Sequence, residues 1–459
     1  MEILDTICAP ATIPGTGAIT VIRVSGSEAL SVCDKVVSFV SGTASSSEAG
    51  RVKFGTVADG DEMVDEVLVS IFKAPHSYTG EDSVEISCHA SGYICQRILE
   101  LLCAAGCRLA EPGEFTRRAF VNGKMDLAQA EAVADVISSS NKASLRLAMN
   151  QLKGGYSHEL SGLREQMLKL TSLLELELDF SEEEVEFADR TQLNELVAIA
   201  RAKVDALAGS FHLGNAIKNG VPVAIVGAPN TGKSTLLNAL LGEERAIVTD
   251  IAGTTRDTIE ETLTLDGILY RFIDTAGIRE TDEVVEKIGI QRSLDAISKA
   301  DIVLAVIDLT TANIESEISE MLARVDTERQ KLIILLNKTD VADTASFMLG
   351  SDMFDAASVL KISAATGFGL DALRAKLRAF VPSGLSSSES MVTNMRHYEA
   401  LRQTSISLSR VADALATGIP SDLVAVDLND ALYHLGTITG EISNDEVLGN
   451  IFAHFCIGK

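Results

Sequence analysis

Four things are scarce in this 459-residue chain: tryptophan (none), histidine (7), paired cysteines and positive charge. Each scarcity but the first excludes something. Lys and Arg number 39 against 65 Asp and Glu, a formal charge of −26. A surface that coats nucleic acid needs basic residues to displace counterions, so any RNA contact must be local or supplied by a partner. The 7 cysteines, Cys8, Cys33, Cys88, Cys95, Cys103, Cys107 and Cys456, are an odd count with no C-x-x-C pair. None of the 7 histidines falls in an H-E-x-x-H pattern. Reduced, partly buried thiols are therefore expected, not structural zinc. No run approaches the ~18 apolar residues of a membrane-crossing helix, so no membrane association is expected. The opening Met1-Glu2-Ile3-Leu4-Asp5 is acidic where a secretory leader would be basic, which predicts a cytoplasmic protein.

What is present is ordinary globular composition, 46% hydrophobic and 23% charged. At ~150 residues per domain the length predicts about three domains. Ile19–Val24, Glu66–Phe72 and Val84–Ser87 read as strands, Ile94–Ala105 as a helix and Gly42–Gly50 as a Ser-rich loop, which gives an α+β start. From Asp126 the texture turns helical. Leu160, Leu163, Met167, Leu170 and Leu174 share one helix face, and Ser181–Glu184 fits a capping box. From Val221 strand-like and helix-like runs alternate. Val223–Val226, Leu269–Ile273, Ile302–Ile307, Leu332–Leu336 and Leu360–Ile362 are apolar on both faces, as parallel strands covered by helices must be. After Val381-Pro382 the chain reads as helical again, with Leu401, Leu408, Val411 and Leu415 on one face and Leu428, Leu432 and Leu435 on another. Helical segments on both sides of a βαβ unit predict one discontinuous helical domain with the βαβ unit inserted.

Gly227-Ala228-Pro229-Asn230-Thr231-Gly232-Lys233-Ser234 fits G-x-x-x-x-G-K-[ST] between an apolar strand and the helical run that begins at Thr235. Its backbone N–H groups would cradle phosphate oxygens, Lys233 would reach the β/γ-phosphates and the Ser234 hydroxyl would coordinate Mg²⁺. Asp274-Thr275-Ala276-Gly277 follows a strand, where a carboxylate can hold the Mg²⁺ shell and Gly277 N–H can sense the γ-phosphate. Asn337-Lys338-Thr339-Asp340 follows another. The Asp340 carboxylate can accept hydrogen bonds from guanine N1–H and its exocyclic amine, a donor pair adenine lacks. Ser363-Ala364-Ala365 could give a backbone N–H to guanine O6. In this order the elements predict a GTPase. Many GTPases place Gln directly after D-x-x-G to orient water. Ile278 stands there and cannot do so, so a cation, a more distant carboxylate or a partner must act instead. Thr249-Asp250-Ile251-Ala252-Gly253-Thr254-Thr255 lies where a switch loop belongs. Arg256 serves equally well as an arginine finger or as a salt-bridge partner of Asp257 or Glu260.

Segments outside these motifs carry a resemblance. Asp5-Thr6-Ile7 with Ile13-Pro14-Gly15-Thr16-Gly17, Pro112-Gly113-Glu114-Phe115-Thr116 with Arg118-Ala119-Phe120, Asp126–Ala132, Asp250–Asp257 and Phe455-Cys456-Ile457-Gly458-Lys459 are similar to the MnmE (TrmE) family of tRNA-modifying GTPases over essentially the full length. The resemblance implies an N-terminal tetrahydrofolate-binding and dimerisation domain over 1–122. It implies a helical domain over 123–215 and 382–459, and an inserted Ras-like α/β GTPase domain over 216–381. The folate, 5-formyl- or methylene-tetrahydrofolate, would meet Arg23, Glu85, Lys124 and Lys459. Potassium-stimulated GTP hydrolysis to GDP is implied, with K⁺ on Asn230, Thr249, Ile251 and Thr254, Mg²⁺ on Ser234 and Thr255, and Glu286 orienting water. A homodimer is implied, and a heterotetramer with the FAD-dependent partner MnmG, which would carry most of the tRNA contact. Together the two would build aminomethyl or carboxymethylaminomethyl groups on C5 of the wobble uridine. Cys456 is open between a chemical role and a packed tail anchor. Its C-a-a-X length fits prenylation poorly. Two other readings compete: a GTP-switched ribosomal-RNA assembly factor, and a regulatory scaffold whose partner does all the carbon chemistry.

Overall fold

Period-two alternation of apolar residues builds the first sheet. The structure, a computed structural model, describes residues 5–179, 190–242, 261–265, 268–273, 294–311, 314–326, 329–342, 358–380, 391–443, 445–453, 455 and 458. Seven strands, β1 (Ile7–Pro10), β2 (Ile19–Ser25), β3 (Val37–Phe39), β4 (Val52–Asp59), β5 (Glu62–Phe72), β6 (Ser83–His89) and β7 (Arg108–Leu109), lie in the order β3-β4-β5-β6-β2-β1-β7. Neighbours are antiparallel except β1 and β7, which run parallel. In β5, Val67, Val69 and Ile71 are buried while Glu66 and Leu68 face out. Helices α1 (Ala29–Val36) and α2 (Gly92–Ala104) cover the buried face through Val32, Cys33, Ile98 and Leu102. The expected strands and helix are β2, β5, β6 and α2. The stretch 42–50 is the expected loop, tied down by Asp34, whose carboxylate accepts from the Ala44 and Ser45 amides. Strands β1, β3, β4 and β7 were not foreseen. The described thiols Cys8, Cys33, Cys88, Cys95, Cys103 and Cys107 are all free, as expected.

Next come α3 (Glu114–Val121), α4 (Leu127–Ser138), α5 (Lys142–Leu152), α6 (Gly155–Asp179) and α7 (Arg190–Gly209). Leu160, Leu163, Met167, Leu170 and Leu174 of α6 are all buried, which is the face their spacing predicts. The proposed capping box at Ser181–Glu184 lies outside the described residues.

Helix α8 (Phe211–Asn219) leads into a second sheet of six strands. These are β8 (Val221–Val226), β9 (Glu261–Leu265), β10 (Ile268–Ile273), β11 (Ile302–Asp308), β12 (Lys331–Asn337) and β13 (Ser358–Lys361), in the order β13-β12-β11-β8-β10-β9. All pairs are parallel except β9 with β10. Alternate residues feed two cores. Val223, Ile225, Leu304 and Val306 pack on one face, and Ala224, Val226, Val303 and Ala305 on the other. Helices α9 (Lys233–Leu241) and α11 (Leu370–Arg378) cover the first face, and α10 (Ile314–Arg324) covers the second. The antiparallel edge strand β9 was not foreseen.

The chain closes with α12 (Met395–Thr417), α13 (Ser421–Thr439) and α14 (Asp445–Phe452). Leu401, Leu408, Val411 and Leu415, and Leu428, Leu432 and Leu435, are buried as their spacing predicts. Helix α13 packs along α6, and α14 packs on α3. The chain forms two units, one made of 1–137, 149–205 and 399–459, the other of 138–148 and 206–398. The architecture is multidomain: an α+β sheet region, a helical region and a P-loop α/β core.

The first unit buries an ionic cluster. Arg118 and Glu114 have fully buried side chains. Arg118 donates to Glu114 Oε1 at 3.0 Å, to Asp5 Oδ1 at 2.7 Å and to Glu81 Oε1 at 3.3 Å. Glu114 also accepts from Arg108 Nη2 at 2.7 Å and from the Glu111 amide at 2.8 Å. Burial pushes the Glu114 carboxyl up, but Arg108, the Glu111 amide and Arg118 outweigh it and hold the carboxyl below the usual range. A depressed carboxyl contributes stability that is full above its unfolded pKa of about 4.3. That contribution is lost as the pH falls through the lower folded value. We expect Glu114→Ala to cost about 3–5 kcal/mol in urea unfolding at pH 7, because it strips the buried Arg118 guanidinium of its one fully buried carboxylate partner. The acid-induced loss of stability below about pH 4 should be shallower in Glu114→Gln than in the parent.

Candidate functional site

The turn from β8 to α9 takes the form the glycine spacing predicts. Gly232, at φ +97°, lies so close to Asn337 that a Cβ would fall 2.3 Å from Asn337 Nδ2. A Cβ on Gly227 would fall 2.2 Å from the Val306 carbonyl oxygen. Asn230 adopts φ +62°, a left-handed conformation that Asn tolerates better than most residues. The Thr231 hydroxyl donates to the Ala228 carbonyl at 2.9 Å and closes the loop. Lys233 Nζ donates to the carbonyls of Gly227 at 2.9 Å and Ala228 at 2.7 Å, and burial pulls its ammonium below the usual lysine value. Ser234 and Thr235 stand in the first turn of α9. A lysine folded on its own loop and a hydroxyl at a helix N-terminus suit a Mg²⁺-bound phosphate chain.

The elements expected to read guanine sit at the C-terminal ends of neighbouring parallel strands, where ligands bind in open α/β sheets. Asn337, at the end of β12 and buried, donates through Nδ2 to the Thr231 carbonyl at 2.7 Å. Its Oδ1 accepts from the Ala364 amide at 2.9 Å. One carboxamide thus joins the phosphate loop to the Ser363–Ala365 turn. The Ala364 N–H is engaged by Asn337 in this structure. The Ser363 hydroxyl donates to Asp340 Oδ1 at 2.7 Å and orients the carboxylate expected to read guanine. Thr339 N and Oγ1 both donate to the Ile362 carbonyl, at 3.2 and 3.0 Å. Lys338 has φ +66°, and its ammonium pairs with Asp308 Oδ2 at 2.5 Å. Burial raises the Asp308 carboxyl, but Lys338 and Thr310 together leave it below the usual range. Asp308 was missed from sequence. Its signal was a carboxylate ending a strand whose parallel neighbour ends in Asn-Lys.

Arg23 and Glu85 face each other in register across β2 and β6. Arg23 Nε and Nη2 donate to Glu85 Oε1 at 3.0 and 2.9 Å, and Nη1 donates to the Gly458 carbonyl at 3.3 Å. The tail therefore reaches this pair. Lys124 Nζ bonds instead to the Pro75 carbonyl at 2.8 Å. Thr249, Asp250, Ile251, Ala252, Gly253, Thr254, Thr255, Asp274, Thr275, Ala276, Gly277, Glu286, Cys456 and Lys459 lie outside the described residues.

Comparison with known proteins decides the family. The MnmE helical domain matches residues 127–456, and the GTP-binding protein TrmE N-terminus matches residues 6–124. The chain belongs to the MnmE family. A tRNA modification GTPase MnmE of Flavobacterium johnsoniae is 50% identical over 99% of both chains. The one of Christiangramia forsetii is 49% identical over 100% of both. Among solved structures, Aquifex aeolicus Era bound to GDP and aluminium fluoride is 27% identical over 40% of this chain and 65% of that one, with a TM-score of 0.27. Family membership and the strand-end site together make the protein a GTPase. No helix among the described residues is long and apolar enough to cross a membrane.

The Asp340–Ser363 contact generates a specificity test. Replacing Asp340 by Asn offers an amide where guanine needs an acceptor. GDP affinity should fall about a hundredfold or more, and affinity for the xanthine nucleotide should rise, as read by competition with a fluorescent nucleotide. Equal losses for both nucleotides would contradict the assignment.

Proposed function

We propose that the protein couples GTP hydrolysis to formation of 5-aminomethyl or 5-carboxymethylaminomethyl uridine at the tRNA wobble position. It would work as a homodimer joined with an FAD-dependent flavoprotein of the MnmG type. The observation that carries this reading is the 50% identity to a tRNA modification GTPase over 99% of both chains. That match spans both units, not only the GTPase core that many unrelated functions share.

Within that reading the residues divide the work. Lys233 and the loop amides hold the phosphates, Ser234 and Thr255 hold Mg²⁺, and Asp274 with Gly277 senses the terminal phosphate. Asp340 selects guanine. Asn230, Thr249, Ile251 and Thr254 would hold K⁺, which supplies positive charge against the phosphate oxygens where Ile278 supplies nothing. Glu286 would orient water. Lys124, with Lys459, would meet the carboxylates of a 5-formyl- or methylene-tetrahydrofolate, while Glu85 would accept from its pterin N–H groups and Arg23, paired with Glu85, would donate to the same end of the ligand. The Arg23–Glu85 contact supports placing both at one end of the ligand, since a guanidinium held by a neighbour is pre-organised to donate. Cys456 is assigned to neither chemistry nor packing.

Two measurements test the reading. A strain lacking this chain should lose the C5-substituted wobble uridine in nucleoside mass spectrometry of its tRNA, and the wild-type chain should restore it. Unchanged nucleosides would refute the tRNA role. GTP turnover by the purified protein should rise at least tenfold in KCl over NaCl at equal ionic strength. Asn230→Gly, which keeps the positive φ and removes the side chain, should abolish the difference. Equal rates in the two salts would remove the cation and leave Arg256 or an outside activator to do its work.

A further inference from the structure

The motif Pro112–Phe120 has no place in the reading so far, and the structure gives it one. The Arg23 guanidinium carbon lies 5.2 Å from the centroid of the Tyr78 ring and 5.6 Å from that of Phe115. Both are within cation–π range. Phe115 is fully buried in α3. The Tyr78 hydroxyl is bonded to the Thr116 hydroxyl at 2.9 Å, so the next residue of the same helix holds the second ring.

Tyr78 belongs to a segment pinned at nearly every residue. The Ser77 hydroxyl donates to the Glu81 carbonyl at 2.5 Å. Asn122 Nδ2 donates to the Thr79 carbonyl at 2.8 Å, and Lys124 Nζ to the Pro75 carbonyl at 2.8 Å. Ser25 Oγ donates to Glu81 Oε2 at 2.8 Å, and Glu81 also receives Arg118. The segment 75–81 therefore touches both Arg23 and Lys124, two residues assigned to the one-carbon carrier.

We infer that Tyr78 is a positioning residue for Arg23: its ring, fixed by Thr116, and the Phe115 ring hold the guanidinium in one orientation for the acceptor groups of the folate. This rests on the reading that Arg23 binds the folate. The physical case is one of freedom removed. An arginine side chain has several rotatable bonds and loses much entropy when it binds. Here three of its nitrogens already donate, to Glu85 and to the Gly458 carbonyl, and two rings confine its plane. The ordering cost is met before the ligand arrives, and the remaining N–H groups keep a fixed direction. Arg118, through Glu81 and Asp5, is the base on which the segment stands.

The test uses the full-length protein with two readouts. The first is the Kd for 5-formyltetrahydrofolate by calorimetry. The second is the rate at which phenylglyoxal, an arginine reagent, labels Arg23, read by peptide mass spectrometry without folate. Tyr78→Leu should raise the Kd about tenfold and speed Arg23 labelling about fivefold, while Tyr78→Phe, which keeps the ring, should stay within about threefold on both. In an Arg23→Ala background Tyr78→Leu should cost no further affinity, because the ring acts through Arg23. An effect as large in that background as in the parent would mean a general structural role and would overturn the inference. So would unchanged labelling in Tyr78→Leu. A parent protein that binds no reduced folate but shows faster labelling in Tyr78→Leu would refute the folate reading and keep the positioning role. GTP turnover without tRNA should be the same in Tyr78→Leu and Tyr78→Phe as in the parent, which reports that the nucleotide unit is intact.

Discussion

The nucleotide site depends on one buried carboxamide. Asn337 spans from the Thr231 carbonyl to the Ala364 amide, so it uses a donor and an acceptor in fixed opposition. Asp would lose the donor and Leu both. Ser or Thr would put donor and acceptor on one oxygen, whereas Asn sets them on two atoms of one planar carboxamide. The bridge makes the phosphate loop and the Ser363–Ala365 turn one object, although 106 residues separate Thr231 from Asn337. Around it the strand ends are tied laterally: Lys338 to Asp308, and Asp340 to Ser363. A site assembled before the ligand arrives spends less of its binding energy on ordering.

The first unit applies the same logic with charge. Glu85 orients Arg23, and the ladder continues along the sheet to Ser25 and Ser83, then to Glu81 and the buried Arg118. Buried ion pairs seldom stabilise a fold more than well-packed apolar residues would. Their persistence here is better explained by geometry, since they fix a segment that bears on Arg23 and Lys124. The first unit resumes, in sequence, after the second.

How far this was legible in the sequence follows from how local each signal is. The phosphate loop, the Asn-Lys-x-Asp turn and the both-face apolar strands β8, β10, β11 and β12 were readable because each is set by fewer than about ten consecutive residues. The buried faces of α6, α12 and α13 followed from helical spacing alone. Strand β7, two residues long, exists only because Arg108 and Leu109 find Ile7 and Cys8. Strand β9 alternates, with Leu263 and Leu265 buried and Thr262 and Thr264 less so, but over only five residues, too short a run to stand out before its pairing with β10 is seen. Asp308 looked like any strand-end carboxylate until Lys338 was placed beside it. Arg118 and Glu114 stood out as motif letters, yet nothing local told that their charges are buried together with Asp5, 113 residues away. Tyr78 gave no signal at all, because its role lies in a ring placed over an arginine on another strand.

The claim that Asn337 unifies the site is tested most directly by the affinity of Asn337→Ala for GDP and for guanosine, set against the parent. The account predicts that both fall, GDP about a hundredfold or more, because the phosphate end and the base end lose their common tie. A variant that binds GDP within about threefold of the parent would contradict the account, since the loop and the turn would then hold their places without the bridge.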